Sequence, residues 1–148
     1  MNSHQKVRNT SSRSTVTALK HRLQDCQFSD DYTAVIRALV ATRHLAAIRV
    51  LASLLDSTGP VAEESIAGLL TFGEAAIPAM RECVDSLDYE MIRHGHRVLA
   101  ALGEEASKQW LRDDDAERIA AYLERKGFIH VALWHVIANE TDEEEEIA

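Results

Sequence analysis

Residues 66–106 read IAGLLTFGEAAIPAMRECVDSLDYEMIRHGHRVLAALGEEA. Two pieces of this stretch repeat: LLTFGEAA at 69–76 falls on LAALGEEA at 99–106, a shift of 30 residues. Upstream, RHLAAI at 43–48 falls on FGEAAI at 72–77, a shift of 29. The positions brought together are His44, Gly73 and Gly103. Both glycines follow an apolar run, where a residue of positive φ closes a helix, and histidine is among the side chains that tolerate that conformation. Helix starts recur too, Asp31-Tyr32 against Asp88-Tyr89. A unit of two short helices cannot bury its own apolar face, and stacking successive units buries it.

The apolar positions between the repeats have helical spacing. Val16, Leu19 and Leu23 share a stripe, as do Tyr32, Val35, Ile36, Leu39 and Val40, and Leu45, Ile48, Leu51, Ala52 and Leu55. Ala62, Ile66, Leu69 and Leu70 form the next, then Ile77, Met80, Val84 and Leu87, then Ile92, Leu99 and Leu102. Steps of three, four and seven are the period of a helix, and no segment alternates as a strand does. Cap chemistry marks the boundaries. Ser29-Asp30-Asp31 offers acceptors at a helix start, and Asp88 is placed to cap a helix running from about Tyr89 to Leu102. Gly59-Pro60 puts proline in a first turn, with Glu63 and Glu64 near the positive helix end. Pro78 is tolerated if its helix starts near Ala76.

The stretch 66–106 resembles HEAT repeats, in particular the short subclass named after phycobilisome-lyase subunits. Gly73, Ala76, Ile77, Pro78, Met80, Asp85, Asp88, Arg93, Ala101, Leu102 and Gly103 occupy the places of that pattern, over a span of about 30–125. Met80 stands where leucine is usual, and Gly95 and His96 replace the common alanines, which predicts looser packing there. The resemblance implies an all-α, right-handed superhelical solenoid of antiparallel helix pairs, about three units long. It implies no catalytic residue. It also implies that the second helix of each unit lines a concave groove. Arg37, Glu63, Glu64, Arg93 and Arg97 are the charged residues that such helices would present to a partner. In this family the arginine at position 93 often bridges to an acidic turn residue, here Asp88 or Asp56.

Composition sets further limits. With 148 residues the chain suits one core, and 46% hydrophobic residues exceed what a disordered chain carries. Residues 1–22 hold Lys6, Arg8, Arg13, Lys20 and Arg22 without an acid, a charge of +5, which leaves −13 for the rest of a chain whose net charge is −8. So acidic a body disfavours duplex nucleic acid, which needs a basic face. No run of 18 apolar residues predicts a membrane span, and the N-terminus has no apolar core of a secretory signal. Cys26 and Cys83 are too few for a disulfide scaffold, and a cytoplasmic setting is expected.

The repeat register slips after Gly103, since Gly127 follows only 24 residues on. Residues 107–139 still read as helices and carry both tryptophans. They are expected to cap the solenoid, with Trp110 and Trp134 as a secondary candidate interface. Residues 1–14 read as a flexible basic tail, 15–139 as the solenoid domain, and 140–148 as an acidic tail in which Asp142 to Glu146 are consecutive carboxylates.

Catalytic signatures are weak. His94 and His96 point roughly 200° apart on a helix, and only Glu90 with His94 has ligand spacing. No histidine precedes a glutamate, which sets the chain apart from HEAT-like di-iron enzymes. No phosphate loop, nucleophile elbow or zinc-protease motif appears. The cysteines fit small core positions. The expectation is therefore a non-enzymatic, cofactor-free adaptor or regulator that binds another protein through a basic or amphipathic segment. The alternative is a ligand-handling or enzyme-accessory protein of the bilin-lyase-like class.

Overall fold

The computed structural model describes residues 2–127, with side chains from position 13 onward. All regular structure among them is helical: α1 (Asn2–Gln24), α2 (Ser29–Ala41), α3 (Ala46–Ser53), α4 (Pro60–Phe72), α5 (Ile77–Val84), α6 (Tyr89–Ala101) and α7 (Glu105–Arg125), with single 3₁₀ turns at Leu54–Asp56 and Gly73–Ala76. The chain divides into two compact units, Met1–Lys108 and Gln109–Ala148, with the division falling inside α7.

In the first unit, each helix packs on a sequence neighbour and on its neighbour but one. α1 packs on α2, α3 on α4 and α5 on α6; α2 also meets α4 and α4 meets α6, while α1 meets α3 and α3 meets α5. The core these helices enclose holds Ile36, Leu39, Leu51, Leu55, Leu69, Met80, Val98 and Leu99, all fully buried. Leu69 and Leu99 come from the repeated text, as does Ile77, which packs half-buried against the core.

The local chemistry explains most boundaries. Asp88 Oδ1 accepts from the Met91 N–H at 2.9 Å and caps α6. Pro60 opens α4 and Pro78 lies in the first turn of α5, where neither removes a hydrogen bond. Gly73 and Gly103 both adopt positive φ, 59° and 101°.

Several expectations need correcting. At the first repeat junction the positive φ belongs to Arg43 (53°), one residue before His44. His44 instead accepts the Ala46 N–H at Nδ1, 3.0 Å away. The start of α2 has no side-chain cap: Phe28 holds the cap position, and Thr33 donates back to the Ser29 carbonyl. Leu87 is exposed because α5 ends at Val84, and Leu45 is exposed because it precedes α3. Gly95 marks close packing, the reverse of the looser fit expected. A Cβ there would lie 3.0 Å from Val84 Cγ1, 3.1 Å from Cys83 Cβ and 3.3 Å from the Met80 carbonyl. The stretch read as a basic tail falls mostly within the bounds of α1. It has no periodic apolar stripe, but it also lacks glycine and proline, so nothing halts the helix that packs through Val16, Leu19 and Leu23. In the second unit α7 runs unbroken to Arg125, with Ile119 and Tyr122 exposed. Trp134 and the acidic segment 140–148 lie outside the described residues.

Candidate interaction face

Helices α2, α4 and α6 bring together most of the charged residues singled out in the sequence. Arg37 on α2 donates from Nη2 to Glu64 Oε1 at 2.8 Å. Arg97 on α6 donates from Nη1 and Nη2 to the two carboxylate oxygens of Glu63, at 2.7 and 2.9 Å. Glu63 and Glu64, adjacent on α4, thus reach to opposite neighbours, and the result is a ladder Arg37–Glu64/Glu63–Arg97 across three helices. The Arg97–Glu63 fork is the geometry in which guanidinium binds carboxylate best. Arg97, through that hydrogen bond and its charge, holds the Glu63 carboxyl below the usual range against opposing desolvation.

The repeat shift of 30 residues matches Glu63 with Arg93, but its partner is Arg97, 34 residues on and one helical turn further. Arg93 is half-buried on the same helix. Trp110 is half-buried on α7.

Sequence reasoning missed a second set of pairs on α3 and α5. Arg49 on α3 donates to both oxygens of Glu82 on α5, at 2.9 and 3.4 Å. Arg81 on α5 pairs with Glu104, just before α7, at 2.8 Å. A signal exists for Arg49–Glu82 but not for Arg81–Glu104, whose spacing is 23: Glu64 follows Arg37 by 27 residues, Glu82 follows Arg49 by 33, and Arg97 follows Glu63 by 34. In these three pairs, opposite charges about 30 residues apart, give or take a helical turn, meet on neighbouring helices of the first unit.

Two histidines are structural. His94 is buried, with Nδ1 2.7 Å from the Leu55 carbonyl and Nε2 3.8 Å from Glu90. A carbonyl only accepts, so Nδ1 carries the proton. His96 Nδ1 lies 2.9 Å from Ser107 Oγ, which itself donates to Glu104 at 3.2 Å; His96 is therefore the donor in that bond. Ser107 is fully buried, so its hydroxyl is sealed from any substrate. Burial, aided by neighbouring Glu82, pushes the Cys83 thiol up, away from the reactive thiolate. Among the described residues no three of His, Cys, Asp and Glu gather closely enough to hold a metal ion, and no helix is long and apolar enough to cross a membrane.

No protein-family model, no curated protein and no solved structure matches the chain.

Proposed function

We propose that this protein is a non-enzymatic interaction module, an adaptor or regulator whose first unit is a short HEAT-like solenoid of right-handed twist. In this reading α2, α4 and α6 form its concave side, which receives a basic or amphipathic segment of another protein. The observation that carries it is the charge ladder Arg37–Glu64/Glu63–Arg97 across those helices. Such pairs, with Arg37 and Glu63 mostly exposed, are cheap to exchange. An exposed ion pair contributes roughly 0–1 kcal/mol, so a partner's cations can take over Glu63 and Glu64 at little cost to the fold. Alternating charge of this kind sets a ligand's register more than its affinity.

The test uses E63R, R97E and the swap E63R/R97E. The swap restores an ion pair but reverses its direction. The expected outcome is that all three change the set of proteins crosslinked to the chain, while melting temperature stays close to wild type. If the swap keeps the wild-type partner set at low salt, the ladder is not the interface, and the α7 surface around Trp110 takes its place.

A further inference from the structure

We propose that the groove between α1 and α3 is a second binding site, one that takes carboxylate side chains of an acidic segment in a partner protein. It lies between α1 and α3, away from the α2–α4–α6 ladder, and does not depend on the function proposed for that face.

The groove encloses about 250 Å³. That is too narrow for a helix, which is about 10 Å across with its side chains, but ample for two or three carboxylates with their waters. Val16 and Val50 form its buried floor. Its rim is cationic: Arg13 and Lys20 from α1, and Arg49 from α3. Thr17 and Ser53 complete the rim, and their hydroxyl hydrogens are already given to the Arg13 and Val50 carbonyls. The cations are therefore what remains to recognise a ligand.

Arg13 and Lys20 form no ion pair with a described residue, in contrast to Arg37, Arg49, Arg81 and Arg97. Both are exposed. No acid occurs before Asp25, so α1 itself offers neither of them a counter-charge. Arg49 is already held by Glu82 of α5, so Arg13 and Lys20 on α1 carry the uncompensated charge of the groove.

Spacing selects the ligand. Arg13 and Lys20 are seven residues apart, two helical turns and about 10 Å along the axis. One carboxylate or one phosphate cannot bridge them. A run of Asp and Glu can, because same-face residues of an extended chain, two or four apart, lie about 7 and 13 Å from each other and bracket that distance, and the long cationic side chains take up the difference. A nucleic acid also carries spaced anions, but it would lay further phosphates over a body of charge −13. A short acidic segment meets only the basic edge.

The probe is fluorescein-labelled hexaglutamate, titrated with the full chain at low ionic strength and followed by anisotropy. The wild type is expected to bind, and R13E/K20E to weaken binding by roughly tenfold or more. The charge-matched R118E/R125E, on α7, should change it less than about twofold. R13Q/K20Q, which removes charge without adding any, should fall between wild type and R13E/K20E. It also covers the case in which the reversal unfolds the chain. No binding by the wild type, or equal loss in the two reversal pairs, overturns the proposal. A short oligouridine that displaces the peptide at a lower concentration than unlabelled hexaglutamate would reassign the site to nucleic acid. Equal displacement by inorganic phosphate would reduce it to a single-anion site.

Discussion

At position 94 a histidine is buried on α6 and reaches back to the Leu55 carbonyl, 39 residues earlier in sequence. It ties α6 to the 3₁₀ turn that follows α3, so one polar bond joins consecutive helix pairs. Its truncation to alanine leaves the carbonyl without its partner and opens a void. The expected loss for H94A is about 2–4 kcal/mol in urea denaturation. H94N keeps a donor near the Nδ1 position and should lose clearly less; equal losses would mean that packing alone matters there. The neighbouring Gly95 sets two effects against each other. Alanine in a helix gains about 1 kcal/mol over glycine, while forcing a methyl into a filled core costs about 1–3 kcal/mol. The nearest atoms include Cys83 Cβ and the Met80 carbonyl, which no rotamer change removes. The second effect should win, and G95A should be less stable than wild type. A stabilised G95A would show that α5 and α6 separate easily.

On the scale of elements, α6 joins the repeated text to the core. Leu99, 1% exposed, comes from the same LAALG run that revealed the period. L99A should cost about 2–5 kcal/mol in chemical denaturation, as a buried leucine does. L87A, one stripe position further along α5's pattern, should cost almost nothing, because that side chain is fully exposed. The contrast shows what was legible. Periodicity located every helix of the first unit, and the caps at Pro60, Pro78, Asp88, Gly73 and Gly103 stand where the residue types put them. What periodicity does not carry is the place where a stripe stops. Leu87 has the right spacing, yet its backbone has already left the helix. Arg43 rather than His44 takes the left-handed position, so the positive-φ residues Arg43, Gly73 and Gly103 recur every 30 residues; the match of RHLAAI with FGEAAI, at a shift of 29, points one residue too far along. The length of α1 was illegible for another reason: its early residues carry no packing signal and no stop signal either.

Across the whole first unit, ion pairs run between helices on both sides: Arg37–Glu64 and Glu63–Arg97 along α2, α4 and α6, Arg49–Glu82 between α3 and α5. Sequence reading named four residues of the first set as facing a partner, but it did not foresee that they pair with each other. Pairing depends on how far adjacent helices are offset, and a repeat period gives that only to within a turn. The Glu63–Arg97 pair gives this a measurable form. Arg97's hydrogen bond and charge lower the folded-state pKa of Glu63. The contribution is therefore full above the unfolded glutamate value of about 4.3 and is lost as pH falls through the lower folded value. A double-mutant cycle with E63Q and R97Q should give a coupling below about 1 kcal/mol at neutral pH, since both side chains are partly exposed and screened by solvent. The coupling should stay constant from about pH 6 to 8 and fall toward zero as pH drops through the lowered folded-state value of Glu63. It should also shrink at high salt. A coupling that survives acid, or that exceeds about 2 kcal/mol at neutral pH, would mean that the pair is a fixed strut of the fold rather than an exchangeable contact. The cations of the proposed partner would then not displace Arg97 from Glu63, and the proposed binding along α2, α4 and α6 would have to proceed with the ladder intact.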